Sequence, residues 1–381
     1  MKQLGVSIYP AKSSFEEDLA YLDLAKKYGF TRIFTSLLEI SGDNSEVVAK
    51  FKKIINYANS IGMETVLDIN PGLFGQLGVS YEDLSFFKEL DAAAIRLDLG
   101  FTGAEEALMT KNPQRLKIEV NMSSGTKYID NVMSNRPDRD YLTASHNFYP
   151  QRYSGLSQEH FEKTTAQFNQ YRLHTASFIT AENGELGPWP VQDGLCTLES
   201  HRHLSLHTQA THYKLMDTID DLIIGNAYAS EEELKAASEA YLGTQPQLKV
   251  IFSEQATDVE KKVILEELHS YRGDRSEYMI RSTMTRIKYK NEAFPAHQTG
   301  PIKKGDVLIC NDQFGQYKGE TQIALKEMED DGTRNIVGHI PEEAFSYWIT
   351  CRLLRLTVLF NSLDCMKKYS FSFKEREYFF V

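Results

Sequence analysis

No apolar run in these 381 residues approaches the roughly 18–20 needed to cross a bilayer, so a membrane-spanning protein is not expected. The opening Met1-Lys2-Gln3-Leu4-Gly5-Val6-Ser7-Ile8 has no long apolar segment of the signal-peptide kind. It goes directly into strand-like alternation, which leads us to expect a cytoplasmic protein. Cysteine is scarce: Cys196, Cys310, Cys351 and Cys365 are far apart and never in CxxC spacing, which excludes a disulfide framework and a cysteine zinc site. Positive charge is also short. Forty-two basic against fifty-three acidic side chains leave −11, which opposes nucleic acid as a partner. Cofactor signatures are missing too. Gly72, Gly75 and Gly78 do not make GxGxxG, and neither a P-loop nor a GxSxG elbow occurs, so no cofactor is expected. His201, His203 and His207 invite a metal, but Thr197–His203 reads as a helix start. A helix would align only His203 and His207, and no metal is expected.

What is present is a repeat of elements. Strand-like runs begin near Leu4, Thr31, Met63, Ala93, Leu116, Tyr141, His174 and Asp221, on average about 31 residues apart, the length of one strand–helix unit. Helical segments lie between them: Phe15–Ala25 follows the possible caps Ser13 and Ser14, and Val47–Ile55 is closed by Gly62. Eight such units over residues 1–240 predict a (β/α)8 TIM barrel, favoured over a doubly wound open sheet because the dinucleotide turn is absent. From about Gln245 the pattern changes to short strands and turns: Leu248–Phe252, Thr285–Tyr289, Asp306–Cys310 and Asn335–Gly338, with one helix over Asp258–Leu268. That predicts a compact β-rich domain over 245–360, followed by an atypical tail over 361–381.

Strand alternation points to a polar barrel mouth. In the fourth strand Arg96 and Asp98 share the face opposite Ile95, Leu97 and Leu99. In the fifth, Lys117, Glu119 and Asn121 oppose Leu116, Ile118 and Val120, and in the third Asp68 and Asn70 oppose Leu67 and Ile69. Buried charge is costly unless paired or used, and barrel enzymes place their chemistry at the C-terminal mouth. The sixth strand ends Ser145-His146-Asn147-Phe148-Tyr149-Pro150. Asn147 and Tyr149 share Ser145's parity, and His146 is either a structural hydrogen bonder or a ligand contact. An interior salt-bridge lattice is the alternative for each charged residue.

The opening Gly5-Val6-Ser7-Ile8-Tyr9-Pro10, the stretch His146–Pro150 with Gly155-Leu156-Ser157, Gly187-Pro188 and Gly194–Arg202 together resemble one family. Arg281-Ser282-Thr283 and Asn311–Glu320 extend the likeness, which covers roughly Lys2 to Glu343. The family is the bacterial 6-phospho-N-acetylmuramidases, long labelled a domain of unknown function and sometimes misnamed outer surface protein. The chain departs from its pattern at Cys196, where proline is usual. The resemblance implies a TIM barrel with a C-terminal cyclophilin-like β-barrel. It also implies cytoplasmic release of MurNAc-6-phosphate from a disaccharide during peptidoglycan recycling. Under a two-carboxylate mechanism, the candidate pair is Asp98 and Glu119, with Asp68 in reserve. Arg96, Asn121, His146, Asn147, Tyr149, Glu199, Arg202 and Arg281 are the candidate substrate contacts, Arg202 and Arg281 being the expected phosphate cations. The alternatives are a sugar-phosphate lyase or aldolase using Lys117 as a Schiff-base amine, and a non-catalytic sugar-phosphate sensor.

Overall fold

The structure is a computed structural model that describes residues 2–37, 45–190, 193–272, 274, 276–329, 331–341 and 357–362. The chain divides into two compact units, the first ending at Thr244 and the second beginning at Gln245. Among the described residues no helix is long and apolar enough to cross a membrane.

Eight parallel strands close the first unit into a barrel: β1 (Gln3–Ser7), β2 (Arg32–Ser36), β3 (Glu64–Ile69), β4 (Ala94–Leu97), β5 (Lys117–Asn121), β6 (Leu142–Ser145), β7 (His174–Ile179) and β8 (Asp221–Ile224). Each pairs with the next, and β8 returns to β1. Every strand starts within one residue of its expected position. The alternation works as anticipated: Ile95, Leu97, Ile118 and Val120 are buried in a helix-facing core with Phe87, Met109 and Val132. Leu99 leaves that set. The strand ends at Leu97, so Leu99 sits in the following loop and is exposed.

Local chemistry sets the helices. Ser14 caps the helix Phe15–Lys27 in a capping box, Glu17 N–H donating to Ser14 Oγ and Ser14 N–H to the Glu17 carboxylate. Three acidic residues in its first turn and two lysines in its last suit the helix dipole. Its buried stripe, Tyr21, Leu22 and Ala25, packs with Leu4, Val6 and Ile33. Gly29, at φ +83°, supplies the left-handed turn into β2. The barrel interior is mixed. Phe34, Ala176, Phe178 and Ile223 form an apolar cluster lined by Phe148, while Arg32, Asp68, Arg96, Glu119 and Asp221, on β2 to β5 and β8, are its buried charges.

In the second unit, β9 (Gln247–Phe252), β10 (His269–Ser270), β11 (Met279–Ser282), β12 (Asp306–Cys310), β13 (Thr321–Ala324), β14 (Arg334–His339) and β15 (Thr357–Ser362) form one sheet. Its order is β10-β15-β9-β14-β12-β13-β11, antiparallel except for β15 beside β9. The helix expected over Asp258–Leu268 is present as Asp258–Glu266. Thr285–Tyr289 is a correction: it forms a short helix, Met284–Lys288, where a strand was expected. β11 already occupies the place beside β13, and Ile287, apolar by alternation, lies exposed. Of the expected tail, residues 363–381 lie outside the described residues.

Candidate active site

Arg96 organises the mouth. Its side chain rises from the middle of β4, and its guanidinium donates to Asp68 Oδ1 at 2.5 Å, Ser145 Oγ at 2.7 Å and Asn147 Oδ1. Asp98, one residue past the end of β4, brings Oδ1 to 3.5 Å from the same Arg96 nitrogen that holds Asp68. Parallel register explains the convergence: Asp68 lies beside Arg96, and Asn121 beside Ser145. Asn121 donates to the Asp98 carbonyl at 3.0 Å and accepts from Ser123 N–H at 2.9 Å, fixing the chain where it leaves the barrel.

The two aspartates are in different environments. Asp98 is about a third exposed, whereas Asp68 is 3% exposed. Burial pushes the Asp68 carboxyl up to about 6, Arg96 opposes the rise, and the charges of Asp98 and Glu119 add to it. One acid is thus disposed to hold a proton beside an accessible carboxylate.

Glu119 lies elsewhere. Its Oε2 takes a 2.6 Å hydrogen bond from Arg32, the first residue of β2. Arg32 also donates to Asp221 Oδ2 at 2.9 Å, and Asp221 pairs with His174 at 2.8 Å. Glu119 therefore joins a buried lattice toward the N-terminal end of the barrel, and no Asp98–Glu119 contact occurs among the described residues. Lys117 opens β5 on that same end, 3.3 Å from Glu64 and substantially exposed. It does not reach the mouth, which removes the amine of the lyase reading.

The remaining candidates hold loops. His146 is fully buried between Ser123 Oγ at 3.3 Å and Thr165 Oγ1 at 2.9 Å, stacked on Phe161. Burial pushes its pKa down to about 3, so it is a neutral structural hydrogen bonder. Tyr149 is half-buried near Ser123, Arg96 and Asp98, and burial raises its phenol. Glu199 accepts from Tyr153 and Gly155 N–H and from both sides of the Arg202 guanidinium. These bonds, Arg202's first, hold its carboxyl down at about 2. Arg202 also donates to the carbonyls of Tyr149, Asp193 and Gly194. The Glu199–Arg202 pair thus clamps the loops after β6 and β7. Arg281 belongs to the second unit, where Glu320 holds it at 2.7 and 3.1 Å. His201 is likewise committed, its Nε2 lying 2.7 Å from His212 Nδ1.

Sequence reasoning missed Arg32, Asp221 and the role of Ser145. Each follows the inward parity of its strand, and a charge at the first position of β2 and of β8 was a readable signal.

Comparison with known proteins agrees with this architecture. Family models described as the N-terminal and C-terminal parts of 6-phospho-N-acetylmuramidase match residues 4–239 and 246–347. No curated protein matches. Among solved structures, an uncharacterized B. cereus protein is similar at 45% identity and a TM-score of 0.86, over 94% of this chain and 99% of that one. A conserved Enterococcus faecalis protein of unknown function shares the fold at 22% identity and a TM-score of 0.73, over 95% and 97% of the two chains. By these matches the chain belongs to the 6-phospho-N-acetylmuramidase family of glycosidases.

Proposed function

We propose that the protein hydrolyses MurNAc-6-phosphate-GlcNAc in the cytoplasm, releasing MurNAc-6-phosphate from recovered cell-wall sugar. Family membership supports the substrate class. The observation that carries the chemistry is the Asp68–Arg96–Asp98 cluster at the end of the barrel where such enzymes act. Asp68, with its raised pKa, is the acid that protonates the leaving oxygen, and Asp98 is the carboxylate that attacks or stabilises the anomeric carbon. Because Arg96 Nη1 lies 2.5 Å from one Oδ1 and 3.5 Å from the other, those oxygens are at most about 6 Å apart. That upper bound falls below the 6.5–9.5 Å of inverting enzymes, which supports retention, where the spacing is about 5–5.5 Å. Arg96 and Asn121 position the carboxylates, and Asn147 and Tyr149 line the sugar site. The half-buried Phe148 offers an apolar wall opposite the charges. The cyclophilin-like character of the second unit is part of the same proposal and rests on the resemblance.

The test compares hydrolysis of the disaccharide with and without its 6-phosphate. Recognition of the phosphate by cations is strong and geometrically demanding. The phosphorylated form should therefore turn over at least about tenfold faster. Equal rates would overturn the substrate assignment.

A further inference from the structure

The second unit carries a cluster of charge that the barrel chemistry does not use. Two segments meet there, Arg281–Thr283 and Asn311–Glu320. Glu320 is completely buried, and its carboxylate accepts from Arg281 Nε at 2.7 Å, Arg281 Nη2 at 3.1 Å and Gln322 Nε2 at 2.9 Å. A buried carboxylate needs one bidentate arginine, and Arg281 already supplies it. Yet a second guanidinium stands beside it: Arg286 Nη1 lies 3.6 Å from Glu320 Oε2, beyond hydrogen-bond distance.

Both arginines also sit over one ring. The Arg281 and Arg286 guanidinium carbons lie 5.6 and 5.4 Å from the Tyr317 centroid. A third, Arg334, stacks at 4.7 Å on Phe314, whose own centroid is 5.1 Å from that of Tyr317. Arg334 is neutralised by Asp331 at 2.7 Å and tied through Nε to Gln322. Arg281 and Arg286 share a single carboxylate, which leaves one positive charge unmatched in a protein of net charge −11. Among the described residues Arg286 makes no hydrogen bond, although ring and carboxylate hold it in place and it is 30% exposed. A guanidinium so fixed, with its N–H groups unspent, is preorganised for an oxyanion.

We propose that Arg286, with Arg281 and Tyr317 beside it, forms an anion site of the second unit that takes a phosphate monoester or free phosphate. Glu320 is its positioning residue, orienting Arg281 directly and Arg286 by charge. Phosphate is favoured over a carboxylate because two guanidiniums stand together, and a tetrahedral dianion can meet both.

The experiment titrates the full-length protein with inorganic phosphate by calorimetry, comparing wild type, Arg286→Gln and Arg115→Gln. Arg115 is an exposed arginine of the first unit, stacked on Tyr141, and its replacement controls for the loss of one charge. Arg286→Gln should weaken phosphate binding about tenfold or more while Arg115→Gln leaves it unchanged. If Arg286→Gln does not fold, Arg286→Lys replaces it, and the loss of the planar fork should still weaken binding. Equal affinity in the Arg286 variant and wild type, or equal losses in both variants, would overturn the site. Calorimetry with glucosamine 6-phosphate then separates the two sources of phosphate. Tighter binding of the ester than of inorganic phosphate, weakened in Arg286→Gln, assigns the site to a phosphate monoester. Equal or weaker binding of the ester assigns it to free phosphate.

Discussion

Glu119→Gln separates structure from chemistry inside the barrel. Glu119 is 1% exposed, and its carboxylate takes a 2.6 Å bond from Arg32. Removing one member of a buried pair costs about 3–5 kcal/mol, because the other charge is left without compensation. Arg32 keeps Asp221 at 2.9 Å, and glutamine still offers an acceptor oxygen, so the loss belongs at the low end, about 3 kcal/mol. In a unit of this size each kcal/mol moves Tm by about 2–4 °C, which gives a fall of about 6–12 °C. Turnover per folded molecule should survive. The Glu119 charge also helps to raise the Asp68 pKa, so in the variant the alkaline limb of the rate profile should move to lower pH. A circular-dichroism melt and a rate–pH profile read both effects. A normal melt combined with abolished hydrolysis would refute this assignment and return Glu119 to the catalytic pair.

The acid assigned to Asp68 gives a pH profile: hydrolysis should fall about tenfold per unit as pH rises beyond about 6, measured as kcat against pH. The same shift carries a stability sign. Its folded pKa lies above the unfolded value of about 3.9, so the Asp68 contribution is full below about pH 4 and lost as pH rises through about 6. Glu199→Gln should loosen the clamp on Arg202 and lower Tm by several degrees. In wild type, the Glu199 contribution is present above its unfolded value and is lost as pH falls toward about 2, which an acid melt follows. Lys117→Ala should leave turnover and borohydride reactivity unchanged, since Lys117 pairs with Glu64 at the far end of the barrel. A lost activity there would revive the lyase chemistry.

Much of the barrel could be read in advance because parallel strands repeat a period that the sequence displays directly. Inward parity singled out Asp68, Arg96, Asp98 and Asn121, and the structure places all four at one mouth. Parity could not say at which height an inward residue sits. Lys117, Glu119 and Asn121 share a face of β5, yet they span it from the N-terminal end to the mouth. Nor could it say who pairs with whom: Arg32 and Glu119 meet across 87 positions, a contact decided by barrel closure. Arg202, expected to be a phosphate cation, is instead held by Glu199 three positions earlier, the salt bridge that was its alternative, and by three loop carbonyls, which no side-chain pattern reveals. Thr285–Tyr289 failed for a simpler reason, since five alternating residues suit a strand or a single helical turn equally well.

The most direct test identifies the products from MurNAc-6-phosphate-GlcNAc by mass spectrometry, with wild type and Asp98→Asn side by side. Asn keeps the shape at the mouth and removes the charge, and Asp98 is exposed enough that the fold should be unaffected. Wild type should release MurNAc-6-phosphate and GlcNAc in equal amounts, and Asp98→Asn should be slower by about 10²–10⁴ at an unchanged Tm. An intact disaccharide after incubation with wild type, or near-normal release by Asp98→Asn, would contradict the account.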